Sequence, residues 1–130
     1  MSQHLPDFLR RMACEPFVWG GFDCALVIAD WWKVNHGFHP AAHLRGTYHS
    51  REDCADVVRA AGGLPRLVAG LARSVGAARV CDFVPGNFGV IRFDGIHHGA
   101  ICTPSGRWAV KGELGMTALA APRIVVAWSL

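Results

Sequence analysis

The spacing of apolar residues changes once along this chain, near Gly76, and that change limits the fold more than any other feature. Before it, apolar positions recur at helical spacing. Leu5, Phe8, Leu9 and Met12 form one stripe of a short helix over 5–14, which Glu15-Pro16 breaks. The pattern predicts a second helix over 24–35, with Leu26, Ile28, Ala29 and Trp32 toward a core, Asp30 and Lys33 toward water, and Gly37 as its stop. Ser50-Arg51-Glu52-Asp53 has the form of a capping box, opening a third helix through Ala61 that stops at Gly62-Gly63. Leu64, Leu67, Val68 and Leu71 mark a fourth over 64–73. Beyond Gly76 the helical period is lost. Residues 88–93 read as a strand with Asp94-Gly95 as hairpin turn, and 97–103, 107–111 and 124–129 read as three more. Links this short suit antiparallel hairpins. The expected fold class is therefore α+β, helices first and packed on a small antiparallel sheet.

A chain of 130 residues, 52% hydrophobic and 18% charged, is expected to make one domain over 1–130 with a real core. The net charge of +3 comes without a Lys/Arg run, so no nucleic-acid partner is expected. No apolar run approaches the roughly 20 residues of a membrane span, so no membrane partner is expected either. The opening Met1-Ser2-Gln3-His4-Leu5-Pro6-Asp7 lacks a basic segment followed by an apolar one, and synthesis in the cytoplasm without a signal peptide is the expectation. Five cysteines, an odd count with no CxxC, point to reduced thiols. Beside Ala, Val or Thr, they read as small buried hydrophobes.

The chemistry concentrates in Pro16-Phe17-Val18-Trp19-Gly20-Gly21-Phe22-Asp23-Cys24, a glycine-broken aromatic loop that delivers Cys24 to a helix start. Backbone N–H groups there carry partial positive charge and favour a thiolate. Asp23 reads as an N-cap, and Trp19 as core or groove wall. Asp94-Gly95-Ile96-His97-His98-Gly99 supplies a base. Strand side chains alternate, so only one of His97 and His98 can face Cys24. A cysteine in one half and a histidine in the other is the minimum set for thiol-nucleophile chemistry. His36-x-x-His39-x-x-x-His43, with His49 beyond, follows no known metal spacing and reads as a solvated loop; neither a metal nor a cofactor is expected. Arg45, Arg51, Arg59, Arg66, Arg73 and Arg79 read as solvated faces. Trp31 and Trp32 are adjacent on one helix, so one of them is expected to line a groove or a partner surface.

Phe17-Val18-Trp19-Gly20-Gly21, Asp23-Cys24 and His97-His98-Gly99-Ala100 resemble the NlpC-type, papain-like cysteine peptidases, which cut bacterial cell-wall peptides. The resemblance runs from about Pro16 to the C-terminus and puts His97 in the family's histidine slot. Together with Ala127-Trp128-Ser129-Leu130, the form is most similar to a small branch found among phage and prophage tail genes. It implies a papain-like fold and hydrolysis of amide bonds in peptidoglycan stem peptides by Cys24 and His97. Asp23, Trp19 and His98 would be accessory, and phage tail proteins would be partners at the cell wall. Three positions depart from the family pattern. Phe17 stands where a tyrosine would help hold the oxyanion, and Ala25 follows the cysteine in place of serine. The orienting third polar residue should fall near Ala109 or Val110, with Lys111 close by, and its identity stays unknown. A tail structural or adaptor domain that keeps the fold with a weak site is the alternative. A thiol acyltransferase or deamidase on the same scaffold is a third.

Overall fold

A computed structural model describes residues 3–130. Four α-helices precede a five-stranded antiparallel sheet: α1 (Leu5–Cys14), α2 (Val27–His36), α3 (Arg51–Ala60), α4 (Leu64–Ser74), then β1 (Phe88–Phe93), β2 (Ile96–Cys102), β3 (Trp108–Gly112), β4 (Gly115–Leu119) and β5 (Arg123–Trp128). The strand order is β4-β3-β2-β1-β5, so β4 and β5 are the edges. The class is α+β as expected. Among the described residues no helix is long and apolar enough to cross a membrane.

The helices cover one face of the sheet. α1 lies on β3 and β4, α2 on β2, and α4 across β1, β2 and β5. The pleat sorts the side chains: Phe88, Val90, Ile101, Ala109 and Trp128 join the helix-side core with Phe8, Trp31 and Val68. Ile91, Ala100, Cys102, Trp108, Val110 and Ala127 form a second cluster on the opposite face. The segment between α4 and β1 crosses that face: Val80 packs on it, and the Phe83 ring stands edge-on to Trp108 at 5.4 Å.

β4 was not expected. Gly115-Met116-Thr117-Ala118-Leu119 has little β-branched character, and only its pairing with β3 (Trp108 with Leu119, Val110 with Thr117) makes it a strand. The regular part of α2 begins at Val27 instead of Cys24, because 24–26 form a capped turn.

Burial differs from expectation at several places, each with a local cause. Trp31 and Trp32 are both buried. Trp31 donates to Gly86 O at 2.9 Å and packs on Phe8, while Trp32 stands against Phe88 and stacks on His36. Helix α2 is therefore covered on both of these sides, and neither indole is exposed. Asp30 is buried, not solvated, because Arg45 and His39 from the following loop close over it at 2.6 and 3.3 Å. That contact also buries His39, so the histidine-rich loop is not wholly solvated. Burial raises the Asp30 carboxyl above its usual range and lowers the His39 imidazole below its own. Cys14 and Cys81 are exposed, whereas Cys54 and Cys102 are buried as expected; all five cysteines are free thiols.

Lys111 sits on the helix-side face of β3, almost fully buried. Its Nζ donates to Met12 O at 2.8 Å and to Glu15 O, satisfying carbonyls at the frayed end of α1, and lies 5.6 Å from the Phe22 ring centre. It fastens α1 to the sheet. Lys111→Met keeps most of the volume and orphans those carbonyls. Urea unfolding is expected to show a loss of about 1–3 kcal/mol, the usual cost of an unsatisfied buried polar group.

Candidate active site

The loop before Cys24 is shaped by one buried carboxylate. Asp23 is fully buried and accepts from Gly20 N at 2.9 Å, Ala25 N at 2.9 Å, Leu26 N at 2.8 Å and the Tyr48 hydroxyl at 2.7 Å. The bonds to Ala25 and Leu26 are the N-cap geometry expected of Asp23, made at the turn that leads into α2. The bond to Gly20 folds the Trp-Gly-Gly segment back over the carboxylate. Gly20 has φ 76°, and a Cβ there would come within 2.1 Å of Tyr48 O, so no other residue fits. Burial, with the bond to Asp23, pushes the Tyr48 phenol far above its ordinary range.

Cys24 is the next residue, partly buried in the first position of that turn. Asp23 takes the N–H groups of Ala25 and Leu26 and leaves the Cys24 N–H without a backbone acceptor. The expected thiolate is not favoured in this resting arrangement. Burial first, then the Asp23 charge and Cys54, push the Cys24 thiol up to about 12, and the backbone and Arg51 only partly oppose them. The helix-start effect is real in sign but smaller than desolvation.

The strand carrying the histidines is stitched directly to this cysteine. Gly99 N donates to Cys24 O at 3.0 Å. A Cβ on residue 99 would meet that oxygen at 2.8 Å and the Ile28 side chain at 3.4 Å, which explains the glycine in His-His-Gly. The register resolves the choice between the histidines. His97 shares a sheet face with Gly99 and Ile101, opposite Arg92, Val90 and Phe88, and so belongs to the helix side. His98 pairs with Ile91, whose side chain belongs to the other cluster. Both imidazoles line a groove of about 900 Å³ with Cys24, Phe17 and Trp19. His98 is half-buried, which lowers its imidazole below the ordinary value, helped by the charge of His97. Among the described residues no hydrogen bond links Cys24 Sγ to either histidine.

Phe17 and Trp19 meet edge-to-face at 4.7 Å and form one wall. The far wall holds an ion pair that the sequence did not announce: Arg51, from the first turn of α3, and Glu113, from the β3–β4 turn, 3.0 Å apart. Arg51 is thus a groove residue as well as a solvated one. The orienting position has no polar side chain from Ala109, which is buried opposite Ile101, or from Val110, which points to the other face. Lys111 is engaged with α1. Among the described residues Glu113 is the one carboxylate lining the groove. Among the described residues no group of three or more His, Cys, Asp or Glu is placed to hold a metal.

Two outcomes follow from this geometry. Tyr48→Phe removes one of the Asp23 bonds and is expected to cost about 1.5–3 kcal/mol in urea unfolding at neutral pH, the range for a hydrogen bond to a charged group. Alkylation by iodoacetamide, mapped by mass spectrometry, is expected to be slower at Cys24 than at exposed Cys14 and Cys81. Its rate should keep climbing well past pH about 8.5, where an unperturbed thiol is half ionised. A plateau for Cys24 below neutral pH would contradict the burial argument.

Neither curated proteins nor solved structures show a match to the chain. One family model does, over residues 1–130, and the chain therefore belongs to the family described as a domain of unknown function, DUF6950.

Proposed function

We propose that this protein is a cysteine peptidase or amidase of the NlpC type, with a papain-like arrangement, which hydrolyses amide bonds of peptidoglycan stem peptides in a phage or prophage tail setting. The observation that carries the reading is the bond from Gly99 N to Cys24 O. It seats the His97 strand against the Cys24 turn, with both residues lining one groove of about 900 Å³.

The resting thiol dictates the mode of attack. A thiol pushed up to about 12 does not exist as a standing thiolate–imidazolium pair at neutral pH. His97 instead accepts the Sγ proton as Sγ bonds to the amide carbonyl carbon, in the manner of general-base activation. The carbonyl oxygen, now carrying negative charge, meets the free Cys24 N–H. The imidazolium then gives its proton to the leaving nitrogen as the C–N bond breaks. Water, deprotonated by His97, attacks the thioester, and the carboxylic acid leaves as Cys24 recovers its proton. Phe17 cannot donate to the oxyanion as a tyrosine would. One such donor is typically worth roughly 2.7–4 kcal/mol, so slow turnover is expected.

A second reading, a tail structural or adaptor domain with a weak site, draws on the raised Cys24 thiol and on the alanine at 109. One experiment separates the two. Purified protein is incubated with peptidoglycan and new amino groups are counted, with products identified by mass spectrometry, which also distinguishes hydrolysis from acyl transfer or deamidation. Release is expected from the wild type and none from Cys24→Ala. His97→Gln should lower kcat/KM by roughly 100- to 10,000-fold and His98→Gln by less than about tenfold. No release by the wild type, or undiminished release by Cys24→Ala, favours the structural reading or a different site.

A further inference from the structure

Far from the Cys24 groove, β5 forms one edge of the sheet and is covered along only half its length. Val80 N donates to Ala127 O at 3.0 Å and Ser129 N to Ala78 O at 2.9 Å, with Arg79 bridged to Trp128, so residues 78–80 act as a short added strand. Among the described residues nothing pairs with the outer edge of β5 before Val126. An open edge is a template for another extended chain. Beside it, between β5 and α4, runs a cleft of about 420 Å³. Its floor is small and apolar, from Ala69, Ala77 and Val125, and its walls carry Arg66, Arg73 and Arg79.

Those arginines lack counter-charges. The ion pairs of the described residues use Arg10, Arg11, Arg45, Arg51 and Arg59 together with His39, and the side chains of Arg66, Arg73 and Arg79 make no hydrogen bond or ion pair among them. Arg66 and Arg73 lie seven positions apart on α4, about two turns and so on one side of the helix. Guanidinium groups bind carboxylates through paired N–H donors. The same positive charge, with Arg123 at the start of β5, repels the equivalent edge of a second copy. The preferred occupant is therefore a foreign chain that is extended, acidic at alternate positions and small or apolar between them.

We propose that the cleft between α4 and β5 is a docking site for an acidic, extended segment of a partner protein, which adds to the sheet as a strand along the open half of β5. Backbone bonds to β5 give the pairing. Carboxylates on one side of the added strand, about 6.8 Å apart, enter the cleft and meet Arg66, Arg73 and Arg79, and the intervening side chains point to the opposite face of the sheet. The proposal is independent of Cys24 chemistry.

The test uses the full chain and three fluorescein-labelled octapeptides: alternating Glu and Val, the same peptide with alternate amide nitrogens methylated, and alternating Lys and Val. Saturable, salt-sensitive binding of the first is expected. Binding should be at least about tenfold weaker for the methylated peptide, which keeps the charge and loses strand donors, and absent for the lysine peptide. Arg66→Ser combined with Arg73→Ser should weaken the first peptide by at least about tenfold with an unchanged unfolding midpoint. Hydrogen exchange of the wild type should slow within residues 123–125, where the register against β1 shifts, when the first peptide is present. Equal binding of the first two peptides would reduce the cleft to a charged patch and overturn strand addition. No binding, no change in exchange within residues 123–125, or self-association through this edge would overturn the proposal altogether.

Discussion

The Asp23 carboxylate is the interaction on which the rest of the site depends. Fully out of water, it would be costly without partners, and it has them on every side: Gly20, Ala25, Leu26 and Tyr48. Each bond fixes a different piece of chain. The bond from Gly20 closes the aromatic loop, and those from Ala25 and Leu26 start the turn that becomes α2. The bond from Tyr48 brings the distant 46–48 loop onto the glycines, where Gly46 N also donates to Gly20 O at 2.8 Å. Cys24 is left at the centre of this knot, its backbone held and its own N–H free of backbone acceptors. Burial first, and the same carboxylate second, keep the thiol protonated. One group thus sets the position of the nucleophile and adds to the need for a base to activate it.

The second constraint joins the helical and strand halves. Gly99 lets β2 approach the Cys24 carbonyl more closely than any side chain would permit. Because the strand is pleated, this single contact decides that His97, and not His98, shares the cysteine's side of the sheet. Lys111 makes a parallel connection one strand away, between β3 and the end of α1. The groove is the space between these two attachments, closed at its outer end by Arg51 and Glu113.

Much of the scaffold was legible in the sequence because local signals were strong. Ser50 caps α3 through the Asp53 N–H, Gly37 ends α2 in a left-handed conformation, and Asp94-Gly95 turns the β1–β2 hairpin, both with positive φ. The Asp23 cap was readable as well, since an Asx residue before a helix has few other uses. What escaped depended on distant partners. Asp30 looks solvated by periodicity until Arg45 covers it, and the adjacent tryptophans cannot be assigned without knowing that α2 is enclosed by α1, the Gly86 loop and β1. β4 has almost no strand propensity and exists through its pairing with β3. Lys111 reads as a failed orienting residue by position and is a structural cation by contact. Glu113 sits in a turn, where an acidic residue carries no signal, and only the fold brings it to the groove. The Cys24 thiol illustrates competing effects: helix-start polarity was legible, and the larger desolvation was not.

The central claim is that Cys24 attacks an amide carbonyl with His97 as its base. A covalent thioester is its most direct signature. Protein mixed with a peptidoglycan stem peptide would be quenched in acid within the first turnover and its intact mass and tryptic peptides measured. The account predicts an acyl adduct on the peptide containing Cys24 in the wild type, and none on Cys14, Cys54, Cys81 or Cys102. Cleavage of the stem peptide that proceeds without an adduct and survives Cys24→Ala, or an adduct confined to another cysteine, would contradict it.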